Sequence, residues 1–305
     1  MLWMESNIMA AIPWTTWNRL SVEMTRHVRT SLTKPGWVAI GDTYATADAH
    51  LDRVQEQPFL LGRDIDVPKH LMDVDGQFED PMALKTELTM KEFAYEFNEA
   101  AINGPMINSD GSNNPNALVG IRQRIEDLDG LPGLALVKSG ATTLFGPTAQ
   151  TANRHTVLDE LNAAMYFIDG KRPDCAFLND TLLLAIESAF RREGLFADSR
   201  DAYERIVYTF RNVPLYDVGL KANQTDKIIT DTEVLGGNAD NTSIYFVKTG
   251  EKTHFHGWER SALDTRDLGE LQTSAVVRRR VDWQPGLANW HVRSLARVEG
   301  IRAGT

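Results

Sequence analysis

Four of the chain's seven tryptophans, Trp3, Trp14, Trp17 and Trp37, crowd into an opening stretch that cannot form a long regular element. Pro13 removes a backbone donor, and Pro35 with Gly36 interrupts the chain again. Between these breaks Leu20, Met24, Val28 and Leu32 recur every four residues, which predicts one short apolar helical stripe. Large indoles in such an arm must be buried against something. Two coverings are open at this point, the chain's own core and a neighbouring copy.

Composition narrows the function classes. The 305 residues carry 32 basic and 42 acidic side chains, a net charge of −10. Proteins that grip duplex nucleic acid carry a basic surplus, so that role is not expected. An acidic wall would instead repel enclosed DNA weakly and leave it mobile, although simple solubility accounts for the same charge. Cys175 is the only cysteine, which excludes an intrachain disulfide and any cysteine-based zinc or iron–sulfur centre. A reducing compartment suits it best. No basic residue precedes Arg19, no signal-like apolar core opens the chain, and no run of roughly 18 apolar residues occurs. The expectation is a protein that is soluble and intracellular when made, with no membrane partner.

Residues 46–85 are rich in aspartate and punctuated by Pro58, Gly62, Pro68 and Gly76, with short apolar pieces that predict an extended β-hairpin and no helix. Asp73-Val74-Asp75-Gly76 looks like the start of a calcium loop but lacks the later ligands, so calcium is not expected. Thr89 with Glu92 forms a capping-box pattern for a helix carrying Phe93, Phe97 and Ala100 or Ala101 on one face. Asn103-Gly104-Pro105 stops it, with Gly104 free to turn left-handed. A loop-rich stretch to residue 150 contains one brief apolar element, Leu118 to Ile121 with Ile125. From about 151 to 256 helices alternate with strands. One helix is expected to be capped by Thr156 with Asp159 and to end at Gly170, Cys175–Leu178 reads as a buried strand, and Asn179 or Asp180 opens a second helix ending at Gly194. Val213–Val218 and Ser243–Val247 read as further strands, so a sheet covered by helices is expected. The alternation from Leu271 to Trp283, the turn Gln284-Pro285-Gly286 and the alternation from Trp290 to Val298 predict a long returning hairpin.

Signatures of catalysis are missing: there is no dinucleotide fingerprint, phosphate loop, nucleophile elbow or His-Glu-x-x-His helix. No catalytic, cofactor-binding or metal residues are assigned and no cofactor is expected. His254 and His256 fall on one face of a strand and could share a metal, but spacing supplies no third ligand, so a surface or interface pair is the preferred reading. A strand through Arg278-Arg279-Arg280 would put Arg278 and Arg280 on one face and Arg279 on the other. Salt bridges to a neighbouring subunit are expected there before nucleic acid. Cys175, among apolar residues, reads as an inert core thiol.

The order of parts resembles the major capsid protein of tailed bacteriophages, which has the Hong Kong 97 (HK97) fold. The resemblance is carried by Asn103-Gly104, Asn114-Pro115-Asn116 and Leu118-Val119-Gly120-Ile121, the last with Leu118 where the family commonly has Phe and Ile121 where it has Leu. It continues through Pro173 to Asp180, Val213-Pro214-Leu215 with Asn212 in place of a glycine, Thr242 to Val247, Gly257, Arg266-Asp267-Leu268-Gly269 and Trp283 to Leu287. Together these cover about residues 45–301. The resemblance implies an α+β fold with an N-terminal arm at 1–45, an E-loop at 46–85, a spine helix and first part of a P-domain at 86–150, an A-domain at 151–256 and returning P-domain strands at 257–305. It also implies hexamers and pentamers of an icosahedral virion shell assembled in the host cytoplasm, enclosing DNA without reading its sequence. A separate scaffolding protein and a portal are implied partners. An encapsulin-like compartment shell, or a soluble α/β enzyme using His254 and His256, are the alternatives.

Overall fold

A computed structural model of the chain describes residues 6–27, 37–43, 51–72, 80–105, 114, 116–131, 134–145, 150–193, 198–200 and 206–303. The readings made above for Trp3, Val28, Leu32, Pro35, Gly36, Asp73 to Gly76, Pro115 and Gly194 lie outside them. The first elements are α1 (Asn7–Ala11), β1 (Trp14–Thr16), β2 (Val22–His27), β3 (Leu51–Glu56), β4 (Leu61–Pro68), α2 (Lys69–Met72), α3 (Pro81–Asn103), α4 (Ile121–Leu128) and β5 (Val137–Leu144). There follow α5 (Thr151–Met165), β6 (Cys175–Leu178), α6 (Asp180–Glu193), β7 (Asp198–Arg200), β8 (Ile206–Phe210), β9 (Val213–Asp217), β10 (Glu233–Leu235) and β11 (Asn238–Val247). The chain closes through β12 (Phe255–Glu259), β13 (Asp264–Glu270), β14 (Val276–Trp283), β15 (Pro285–Asn289) and β16 (Leu295–Arg302). Among the described residues no helix is long and apolar enough to cross a membrane.

The long helix α3 starts eight residues before the expected capping box. Asp80 caps it, its Oδ1 accepting from the Met82 amide at 2.9 Å, and Pro81 sits at the first helical position, where a missing donor costs nothing. Thr89 lies buried within the helix, and Glu92 pairs with Arg63. The face of Phe93, Phe97 and Ala101 is buried as expected. Its end differs in cause. Gly104 has φ −59°, so it does not turn left-handed. The requirement for glycine is crowding, because a Cβ there would stand 1.8 Å from the Leu118 carbonyl oxygen.

A central sheet runs in the order β5-β16-β11-β6-β9-β8-β7, with β10 added to β11. Residues 175–178 are all buried because both faces are covered. Ala176 and Leu178 join Leu161 and Ala164 of α5 and Leu182 and Ile186 of α6, while Cys175 and Phe177 join the core built on Phe93, Ile125 and Leu128. Asn179 caps α6, its Oδ1 accepting from Leu182 N–H at 2.9 Å. The α5 helix again starts early, and Thr156 inside it bonds back to the Ala152 carbonyl at 2.9 Å.

Three sequence expectations are corrected. The returning hairpin does not form: β14 pairs with β13 and β4, β15 with β12, and β16 lies between β11 and β5. Gln284-Pro285-Gly286 passes the chain from one sheet to the next. The burial of Leu295, Ala296, Arg297 and Val298 on both faces explains why β16 cannot be half of a two-stranded ribbon. The described residues of 46–85 likewise form no hairpin of their own, since β3 pairs with β2, β4 pairs with β14, and α2 and the start of α3 follow. The apolar stripe through Leu20 and Met24 is not helical either. Met24 is buried on strand β2 with Val22, two residues away, while Leu20 is exposed.

Candidate assembly surfaces

Of the described tryptophans of the arm, Trp14 and Trp17 pack against the chain itself and Trp37 does not. Trp14 packs against Phe97 and Trp283 with ring centroids at 5.5 and 5.6 Å, and its indole N–H donates to the Met9 carbonyl at 3.1 Å. Each such aromatic pair adds about 0.5–1.5 kcal/mol beyond its buried area. Strand β1 lies parallel to β12, and Gly257 there admits the ring: a Cβ would come within 2.8 Å of it. Trp17 packs with Trp258, Trp290 and His256 in a small separate core that also takes Val22 and Met24 of β2 and Val54 of β3. Trp37 does the opposite. It is fully exposed, as is Ile40 beside it.

The β2–β3 ribbon is anchored at its root. Arg124 of α4 is buried and grips the Glu56 carboxylate with both arms of its fork, one at 2.9 Å. The same guanidinium donates to the carbonyls of Val119 (3.0 Å) and Leu287 (3.1 Å). Other apolar side chains stand in solvent. Leu84 and Leu88 are one turn apart on α3, Leu71 and Met72 end α2, and Leu20 and Leu60 flank the ribbon.

The sheet β13-β14-β4 carries the basic run. Alternation splits it as expected, but its partners are intrachain, which corrects the inter-subunit reading. Arg278 holds Asp66 with two bonds of 2.7 Å, and Arg280 holds Asp64 with bonds of 2.7 and 3.0 Å, each to the residue directly opposite in register. Arg279, on the other face, pairs with Asp267 across β13 at 2.5 Å and reaches Thr86 of α3. These guanidiniums hold the carboxyls of Asp64, Asp66 and Asp267 below the usual carboxylate range. With their charges answered inside the chain, the three arginines present a tied ladder and no free basic patch.

The histidine pair is likewise separated by its surroundings. His256 is completely buried, so it is not a surface residue. Its ring meets Trp17 edge-on at 5.3 Å and stacks near Trp290 at 6.3 Å, and neither ring nitrogen has a hydrogen-bond partner among the described residues. Burial pushes its pKa down to about 4, so the ring is neutral at pH 7. His254 instead lies beside Asp169 and His291, two residues that spacing in the sequence does not connect. Because an unpaired buried polar group costs about 1–3 kcal/mol, His256→Leu is expected to stabilise the fold at neutral pH by about 1 kcal/mol once the lost ring contacts are deducted. Urea denaturation at pH 7.5 measures it, and a clear loss of stability would show that the ring contacts outweigh the desolvation of its nitrogens. Cys175 is buried with its thiol pKa pushed up by burial, as an inert core thiol should be.

No family model and no curated protein matches the sequence. Solved structures do match. One is an encapsulin of the holo-SrpI complex from Synechococcus elongatus PCC 7942, at TM-score 0.65 and 14% identity over 96% of this chain and 86% of that one. A second is the capsid of a native GTA particle, at TM-score 0.64 and 13% identity over 97% and 90%. A third is a chain from Microbacterium phage Oxtober96, at TM-score 0.59 and 14% identity over 96% and 90%. The likeness spans arm, ribbon, long helix and central sheet together, so it concerns the whole architecture. The chain therefore has the α+β Hong Kong 97 fold that phage capsids share with encapsulin shells.

Proposed function

We propose that this chain is a structural major capsid protein of a tailed bacteriophage, which assembles with copies of itself into the hexamers and pentamers of an icosahedral head. The observation that carries the reading is the likeness, over nearly the whole chain, to the capsid of a GTA particle and to a chain of a Microbacterium phage. The exposed Trp37 and Ile40 support it, because a thin arm gains burial for such side chains only from a neighbour. Heterologous contacts of this kind close into rings. The net charge of −10 suits a wall that encloses DNA without holding it. A scaffolding protein and a portal would be its partners, assembly would take place in the host cytoplasm, and the virion would be its final location.

The part boundaries are proposals too. With the arm at 1–45 and the loop at 46–85, the arm takes α1, β1 and β2, the loop takes β3, β4 and α2, and α3 supplies the spine helix. The division at 151–256 then holds α5, α6 and most of the central sheet.

An encapsulin-like compartment is the second reading, favoured by the holo-SrpI likeness. An enzyme built on His254 and His256 is not supported, since one ring is sealed among indoles and the other faces Asp169. Expression alone and with candidate scaffolding genes, followed by negative-stain microscopy and sedimentation velocity, tests the shell role. Rings, sheets or closed shells are expected. A compact monomer at every concentration and with every scaffold would overturn it, and shells packed with a cellular enzyme in place of DNA would favour the compartment.

A further inference from the structure

We propose that Asp169, His254 and His291 form a binding site for a zinc-class divalent transition metal. The three residues come from distant parts of the chain. Asp169 opens a single turn of 3-10 helix after α5, His254 precedes β12, and His291 lies in the connection between β15 and β16. Backbone bonds already hold the three segments together, with Asp169 N–H donating to the Arg293 carbonyl at 2.9 Å and Trp290 N–H to the His254 carbonyl at 3.1 Å. One ligand atom from each residue lies within 4.8 Å of the other two. His254 Nε2 and Asp169 Oδ2 are 3.4 Å apart. Metal–ligand bonds of about 2.0–2.1 Å in a tetrahedral site place neighbouring ligand atoms about 3.4 Å apart, so this edge is already at the required length.

The donor set selects the metal. Two imidazoles and one carboxylate suit zinc, cobalt or nickel, whereas calcium and magnesium prefer oxygen alone. His254 has the support that a ligating histidine needs: its Nδ1 lies 3.2 Å from Thr253 Oγ1, which can accept a hydrogen bond from Nδ1–H and so leave Nε2 unprotonated and free to bind. His291 Nδ1 accepts from the Arg293 amide at 3.2 Å, and ligation replaces that bond or moves the ring proton. All three side chains reach the surface, Asp169 most of all, so a fourth position stays open to water. The structure also contains a rival cation. Lys248 donates to the Asp169 carbonyl at 2.7 Å and its Nζ lies 3.9 Å from Oδ2, which lowers the site's attraction for a metal. A metal here would pin the end of α5 to the strands under it, joining the two proposed domains within one subunit.

The test uses the full untagged chain, stripped with chelator, and cobalt chloride and zinc chloride as probes. The expected result is one equivalent of cobalt bound with the intense visible absorption of four-coordinate cobalt, displaced by zinc, and a melting temperature raised by zinc. His254→Ala and His291→Ala should each weaken zinc binding at least tenfold by calorimetry, since even the loss of a supporting partner costs about 10–100-fold, while His155→Ala should not. Lys248→Met should tighten it several-fold, a gain that misfolding cannot mimic. Absence of stoichiometric cobalt binding by the unaltered protein would overturn the proposal, as would a zinc affinity in either histidine variant equal to that of the unaltered protein.

Discussion

Trp37→Ala is expected to abolish shell assembly while leaving the subunit as stable as before. The indole is fully exposed and so is Ile40 three residues on, so removing the ring takes nothing from the subunit's core. Substitutions at such positions stay within about 0.5 kcal/mol. Assembly responds differently, because a tryptophan anchoring an interface is worth about 2–4 kcal/mol per contact, and about 1.4 kcal/mol is already tenfold in affinity. Every subunit of a ring repeats the contact, so the loss multiplies around it. Scanning calorimetry of the dissociated subunit and sedimentation velocity of the assembly reaction measure the two effects separately. Unchanged melting with missing shells is the predicted pair, and Ile40→Ser should show the same split more weakly. Normal shells from Trp37→Ala would remove the arm from the list of inter-subunit contacts.

Much of the fold could be read locally. The strand at Cys175–Leu178, the Asn179 cap and the buried stripe of α3 were all legible because each is written in a few adjacent residues. Helix starts were misplaced for a physical reason. A Thr-x-x-Glu pattern is compatible with the middle of a helix as well as its start, and Asp80-Pro81, the true signal, stood in an aspartate-rich stretch that reads as loop. Strand partners were illegible for another. Alternation from 271 to 298 shows that the segments are extended but not what they pair with, and β14 finds β4 more than two hundred residues away. One trace of that pairing was present, since Asp64 and Asp66 carry the spacing of Arg278 and Arg280 with opposite charge.

The same limit applied to the functional residues. Period-two spacing placed His254 and His256 together, yet their environments come from elements brought in by the fold: Trp17 from the arm and Trp290 for one, Asp169 and His291 for the other. Arg297 had no signal at all. It is buried on β16 and answers Glu233 at 2.9 Å and Ser243 at 3.1 Å, a network that only the sheet order creates. Exposure of Trp37 was open in the sequence because burial depends on what the rest of the chain leaves uncovered.

Arg124→Met is expected to cost about 3–5 kcal/mol, the usual effect of stripping one partner from a buried ion pair. The guanidinium is 7% exposed and the Glu56 side chain 13%, so solvent cannot take over the carboxylate without opening the structure. The Val119 and Leu287 carbonyls lose their donor at the same time. For a chain of this size the melting temperature should fall by roughly 5–8 °C. Arg124→Lys should recover little, because a single ammonium cannot bridge both carboxylate oxygens and two carbonyls. The double variant Arg124→Met with Glu56→Leu should recover most of the loss, since it removes the stranded charge and fills the space with apolar atoms. A double-mutant cycle by urea denaturation gives the coupling directly, and a coupling near zero would show that the clamp is incidental. The clamp sits where the β2–β3 ribbon leaves the body of the subunit, so its loss should also free the ribbon's angle. Subunits carrying Arg124→Met, assembled well below their melting temperature, should then form irregular sheets in preference to closed shells.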